Sequence, residues 1–140
     1  MKMIVINGEN KVFGRLSSEI AEKLLKYNEK VVVVNARKVI ISGNYESIFE
    51  RFFERTERGG KGNPRNNPKY PRYPDRLIKR GVRGMLPRNP RGALVLKNLT
   101  VHIDVPENFN KEIPASVKLK NMKYLTLEEI SKRLGAKYSN

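Results

Sequence analysis

Two short apolar runs constrain this chain more than any other feature. Met3 to Ile6 and Val31 to Val34 are continuous, rich in β-branched residues, and each followed by an asparagine, Asn7 and Asn35. Runs of this length with no polar alternation read as strands buried on both faces, as in a parallel sheet covered by helices. Between them Leu16, Ile20, Leu24 and Leu25 fall on one helical stripe, with Ser17, Ser18, Glu19, Glu22 and Lys23 on the other faces. The pattern is a βαβ unit. Its crossover is expected to be right-handed, placing the Gly8 to Gly14 loop beside Asn35 and Ala36 at the carboxyl edge of the sheet.

The remaining elements follow in short order. Val39 to Ile41 ends at Ser42 and Gly43, and Asn44 stands as N-cap to a helix in which Ile48, Phe49, Phe52 and Phe53 share a core-facing side. Leu77, Ile78, Val82 and Met85 predict a further helix with apolar anchors, stopped by Pro87, and Pro90 suits the first turn of another through Ala93, Leu94, Leu96 and Lys97. Val101 to Val105 is expected to be a strand ended by Pro106. Glu107 to Lys123 lacks apolar periodicity and reads as an irregular surface excursion. Thr126 to Glu129 has capping-box spacing, opening a helix with Leu127, Ile130 and Leu134 inward and Gly135 at its end. The chain of 140 residues is long enough for one compact α/β domain, expected over 1–140.

Inserted in that domain is a strongly basic window. From Arg58 to Arg91 there are eleven basic residues against one acid, Asp75, together with six of the eight prolines. Prolines this frequent forbid a helix or central strand, so residues 58–75 are expected to form an extended arm. The net charge of +15 and pI of about 10.2 call for a polyanionic partner. The extended stretch over 58–75 has no apolar face at helical spacing with which to enter a membrane, which favours nucleic acid. Tyr70 and Tyr73, three apart between prolines, would align in a polyproline II segment. They either stack on unpaired bases while Lys69 and Arg72 meet phosphates, or tuck the arm back onto its own domain.

Chemistry finds little support. Without cysteine and with His102 as the one histidine, thiol nucleophiles, disulfides and multi-histidine metal centres are excluded. His102 reads as a side chain satisfied by hydrogen bonds. The carboxylates, such as Glu19, Glu22, Glu46, Glu50, Glu128 and Glu129, mostly fall on solvent faces of the expected helices rather than as a facing pair. The Gly8 to Gly14 loop sits where a nucleotide-binding loop would. However, five residues separate its glycines, Arg15 replaces lysine, and Leu16 precedes Ser17, all departures from a P-loop. It reads instead as a strand-to-helix turn in which glycine supplies positive φ, or as a place where Arg15 and the helix start meet an RNA phosphate. Gly59, Gly60, Lys61 and Gly62 are followed by Asn63 and Pro64, which suits a flexible cationic loop. No recognition helix or dimerising heptad supports a DNA-architectural protein. No signal peptide or membrane span is present, so a cytoplasmic protein is expected.

Several segments in order resemble one family. Gly14-Arg15-Leu16-Ser17-Ser18, Val34-Asn35-Ala36, Ile41-Ser42-Gly43 and Arg83-Gly84-Met85-Leu86-Pro87 are similar to successive motifs of the large-subunit ribosomal protein L-thirteen family, over roughly residues 3 to 105. Pro71-Arg72-Tyr73-Pro74 and Arg91-Gly92-Ala93-Leu94 resemble its archaeal and eukaryotic branch. A histidine-proline-histidine motif common in bacterial members is missing. The resemblance implies a three-layer α/β/α sandwich around a small, mainly parallel four-stranded sheet, and a structural, non-enzymatic role in the large ribosomal subunit. It implies contact with large-subunit rRNA and neighbouring ribosomal proteins, and needs no cofactor, metal or small-molecule substrate. Its motifs point to Arg72, Arg76, Arg80, Arg83, Arg88 and Arg91 as RNA-facing. Charge and position add Arg15, Arg58, Lys61, Arg65, Lys69, Tyr70, Tyr73 and Lys79 as RNA-binding candidates.

Overall fold

The computed structural model describes residues 2–109, 113–119 and 122–138. The chain runs β1 (Met3–Asn7), α1 (Phe13–Lys26), β2 (Lys30–Val34), a 3₁₀ turn (Ala36–Lys38), β3 (Ile40–Ser42) and α2 (Tyr45–Glu57). A 3₁₀ turn at Pro64–Asn66 precedes α3 (Pro74–Met85), α4 (Pro90–Leu96) and β4 (Leu99–Val101), and another at Glu107–Phe109 precedes β5 (Tyr124–Thr126) and α5 (Leu127–Arg133). The result is a mixed α/β protein, most of whose buried apolar residues form one connected core.

The expected βαβ unit is present. β1 and β4 flank β2, all parallel, with Met3 opposite Lys30, Asn7 opposite Val34, and Val31 opposite Leu99. Central β2 is buried from Val31 to Val34, whereas β1 lies at the edge and is fully buried only at Ile6 and Asn7. This sheet has three strands, not four. After β2 the chain takes a left-handed turn at Asn35 (φ 58°) and a 3₁₀ turn, which carry it off the sheet. β3 then pairs antiparallel with β5, Ile40 opposite Thr126, and makes one parallel bridge from Ile40 to Val12.

β4 also lies earlier than Val101 to Val105. The His102 amide still donates to the Val33 carbonyl at 2.8 Å, but β2 ends at Val34, and beyond it the segment is met by the 3₁₀ turn, whose Ala36 and Arg37 N–H donate to the His102 and Ile103 carbonyls at 3.2 and 3.4 Å. The structure thus follows the length of the neighbouring strand rather than the apolar run.

The helices show where periodicity held. In α1, Leu16, Ile20 and Leu24 are fully buried as expected, but so is Ser17, assigned to a polar face. Helix α3 crosses there so closely that a Cβ on Gly81 would lie 2.7 Å from the Phe13 ring and 3.1 Å from Ser17 Oγ. A small residue is required on each side, and the Ser17 hydroxyl satisfies itself by donating to the Phe13 carbonyl at 2.8 Å. In α2, Ile48 and Phe52 are core and Phe49 is half-buried, but Phe53 is 48% exposed. One residue past Phe52, it is turned some 100° around the helix and stacks on Phe49 at 5.8 Å. Asn44 precedes α2, but its side chain makes no cap.

At α5 the capping box is complete, with Glu129 N–H donating to Thr126 Oγ1 and Thr126 N–H to Glu129 Oε2. Gly135 follows at φ +92°, a conformation that glycine adopts without a Cβ clash. Of the excursion expected over 107–123, Glu107–Phe109 forms the 3₁₀ turn and 113–119 is irregular, while 110–112 and 120–121 lie outside the described residues.

Candidate nucleic-acid interface

Helix α3 organises the basic surface. Pro74 and Asp75, expected to close the extended stretch, instead open the helix, Pro74 at a first-turn position where its missing N–H costs nothing. Pro74, Leu77, Ile78 and Val82 are buried. Arg76, Lys79, Arg80 and Arg83, at i, i+3, i+4 and i+7, project from the opposite side and are exposed. Met85, expected as an anchor, is also exposed, and Leu86 takes the buried place.

Leu86 and Pro87 then turn the chain into α4. There Asn89 Oδ1 accepts the Gly92 N–H at 2.9 Å, and Pro90 opens the helix. Gly92 packs so tightly that a Cβ would sit 2.0 Å from the Pro87 carbonyl oxygen. The corner encloses a groove of about 850 Å³ with Arg80, Arg83 and Arg88 on its rim and Leu86, Pro87 and Leu96 in its lining.

Among the described residues these cations have no ionic partner. Glu19 is paired with Lys11 and Lys23, Glu22 with Lys26, Glu9 with Lys38, Asp104 with Arg37 and Glu128 with Lys132. Among the described residues no carboxylate pairs with Arg76, Lys79, Arg80, Arg83, Arg88 or Arg91, all of them exposed. Like charges at helical spacing destabilise a helix unless an external anion offsets them.

The arm is more closely held than an extended tail. Arg58, Lys61, Arg65, Lys69 and Arg72 are exposed, and Arg58 alone of these makes an ion pair among the described residues, a 3.6 Å contact with Glu54. The glycine-rich loop is closed by Asn67, whose Oδ1 accepts the Gly60 N–H at 2.7 Å, while Asn63 Oδ1 accepts from Arg65 N–H. Both tyrosines turn inward, the second of the two sequence readings. Tyr70 meets the Phe52 ring edge at 6.2 Å, lies under Arg80 at 4.7 Å, and its hydroxyl accepts from Arg55 at 3.3 Å. Tyr73 packs edge-on against Tyr138 and donates to the Lys137 carbonyl. Backbone contacts add to this, since the Lys69 carbonyl accepts from Arg80 and the Arg72 carbonyl from Ser131 Oγ. Both rings stay half-buried in these contacts.

At the carboxyl edge of the sheet the glycine loop is already occupied. The Gly8 N–H is spent on the Val34 carbonyl at 2.9 Å, and a Cβ there would lie 2.8 Å from Val39. Positive φ occurs at Asn10 and Asn35 rather than at Gly8 or Gly14. Asn7 Oδ1 accepts from Asn35 Nδ2 at 3.0 Å, and Asn7 Nδ2 donates to the Pro114 carbonyl. The loop therefore has no free amide cradle at Gly8 for a nucleotide phosphate, and its glycine serves packing. Arg15 is exposed in the first turn of α1, apart from this network. His102 is half-buried, its ring 6.1 Å from that of Phe109.

Comparison with known proteins accords with this surface. The family model described as ribosomal protein L13 matches residues 1–108. The chain belongs to that family. Large ribosomal subunit protein uL13 of Methanocaldococcus jannaschii is 41% identical over 138 residues, covering 97% of this chain and all of the relative. The namesake protein of Methanococcus maripaludis is 42% identical with the same coverage. That of Sulfurisphaera tokodaii is 42% identical over 96% of this chain and 95% of its own length.

Within this L13-family chain, sequence reasoning passed over Arg55 and Arg133. Arg133 lies 4.4 Å from the Tyr45 ring centroid and 5.4 Å from that of Phe49, and Arg55 caps Tyr70 at 5.8 Å. Neither lies in the basic window, and only tertiary packing brings α5 against α2. Gly84 and Gly92 were visible within recognised motifs, but their packing was not.

Proposed function

We propose that the chain is a structural constituent of the large ribosomal subunit that binds and stabilises large-subunit rRNA, acting in the cytoplasmic ribosome beside other ribosomal proteins and without enzymatic activity. The observation that carries this is the row of exposed cations along α3 and α4, without an ion pair among the described residues, in a member of a ribosomal family. Along a 12-residue helix about 18 Å long, Arg76, Lys79, Arg80 and Arg83 offer a continuous strip for phosphates. Arg88 and Arg91 extend it at the corner. Arginine suits the task because its planar fork bridges two phosphate oxygens, and in rRNA it neutralises strands that must approach closely. Arg15, Arg58, Lys61, Arg65, Lys69 and Arg72 are assigned to the same electrostatic footprint. Tyr70 and Tyr73 contribute to it by fixing the arm and aligning Arg80 and Arg76 over their rings.

In this reading residues 1–140 act as one domain, with 58–75 as its inserted arm and helices covering both faces of the sheet as a three-layer sandwich. The test is co-sedimentation with large subunits and titration against a large-subunit rRNA fragment. With about six phosphates neutralised, affinity is expected to fall about a thousandfold between 50 and 200 mM salt. Binding indifferent to salt overturns the proposal.

A further inference from the structure

We infer that the groove at the α3–α4 corner holds an unpaired nucleotide of the bound RNA, an inference that rests on the RNA-binding reading above. The groove has two chemistries. Its lining carries Leu86, Pro87 and Leu96, its rim carries Arg80, Arg83 and Arg88, and no acid among the described residues lines it. At about 850 Å³ it falls within the range of roughly 300–1,000 Å³ typical of small-ligand sites. A duplex keeps its bases stacked inside and presents phosphates and grooves, so it would leave the apolar lining unused. An extruded nucleotide brings a charged phosphate for the rim and a flat base for the lining, and a guanidinium plane can stack on that base.

Gly84 supplies an independent observation. It lies in α3, where glycine is poorer than alanine, and it lacks the positive φ that would require glycine. A Cβ built on it meets nothing within 4 Å, so nothing in the protein demands the missing side chain. Gly84 nevertheless lines the groove. A helical glycine with open space above it leaves the backbone accessible to close approach from outside the chain, here by the sugar-phosphate of the seated nucleotide. Gly92, by contrast, is required within the protein. Its contact with Pro87 and its bond to Asn89 hold the corner closed, so the groove exists before any ligand arrives.

The test uses the full chain and two fluorescein-labelled RNA probes in anisotropy titrations, a blunt hairpin and the same hairpin with a two-nucleotide bulge. The bulged probe is expected to bind about tenfold more tightly, the effect of seating one base. In Gly84→Leu, which fills the groove without changing charge, and in Arg88→Gln, which weakens its rim, that ratio is expected to fall toward one. Thermal melting of both variants establishes that they fold. Equal affinity of the parent for both probes, or an unchanged ratio in both variants, overturns the inference and leaves the RNA-binding reading standing. Failure to bind either probe or the rRNA fragment overturns both. Free AMP or an acidic peptide that abolishes the ratio at concentrations comparable to the probe would make the groove a mononucleotide or protein site and overturn the assignment to RNA.

Discussion

Gly92→Ala and Gly84→Ala make the same chemical change in neighbouring helices and are expected to move stability in opposite directions. At Gly92 the new Cβ would stand 2.0 Å from the Pro87 carbonyl oxygen, far inside the 3.0 Å below which real Cβ contacts essentially never fall. The clashing atom is backbone, and the proline ring restricts its φ, so relief requires α4 to move away. That movement pulls Val95 and Leu86, both buried, from the core. Overpacking costs about 1–3 kcal/mol, here toward the upper end because the clash is with backbone, and about 0.5–1 kcal/mol is regained when alanine replaces glycine in a helix, a net loss of about 1–2.5 kcal/mol. At Gly84 the clash is absent and the gain remains, toward the lower end because α3 ends one residue later.

For a chain of this length an unfolding entropy near 2.1 cal/mol/K per residue converts 1 kcal/mol to about 3–4 °C. Gly92→Ala is therefore expected to melt about 4–8 °C below the parent and Gly84→Ala about 1–3 °C above it. Calorimetry in one buffer measures both. Gly92→Ala melting with the parent, or Gly84→Ala melting below it, would refute the packing described for the corner.

Other outcomes follow from the same geometry. Tyr70→Ala removes the edge contact with Phe52 and the cation-π pair with Arg80, expected to cost about 1–2 kcal/mol and to speed proteolysis within the 59–67 loop; denaturant melts and limited trypsin digestion measure these. Lys79→Gln and Arg83→Gln, both exposed and unpaired among the described residues, are each expected to lower the log-log salt slope of rRNA binding by about 0.7–0.9. Burial disfavours the charged form of Glu19, but the hydrogen bonds and charges of Lys11 and Lys23 outweigh it and lower its pKa below the ordinary carboxylate value. Such a group adds stability above its unfolded pKa and loses it as pH falls through the folded one. The melting difference between the parent and Glu19→Gln is therefore expected at pH 7 and should vanish once acid has protonated Glu19 in both folded and unfolded states, as paired thermal melts would show.

Particular residues show where sequence reading works. The Leu16, Ile20 and Leu24 stripe and the Thr126 to Glu129 box were legible because each is specified within one or two helical turns. The cations of α3 were picked out by charge and by the family motifs, and their helical spacing at Arg76, Lys79, Arg80 and Arg83 emerges with the helix itself. Ser17 was misplaced because its burial depends on Gly81, some sixty residues on. The β3–β5 pairing, Ile40 with Thr126, and the early end of β4 likewise depend on distant partners.

By itself, then, the sequence determined that this protein has a βαβ unit, a concentrated excess of cations, and the motifs of a ribosomal family. The tertiary structure decided which of those cations find an ionic partner among the described residues, that Tyr70 and Tyr73 pack back onto the domain, and that Gly92 closes against Pro87 while Gly84 lies open. The division has a physical cause. Propensity, periodicity and caps act over a few bonds along the chain. Ion pairing, ring contacts and steric clearance depend on atoms brought together across it, as when Ser131 bonds the carbonyl of Arg72.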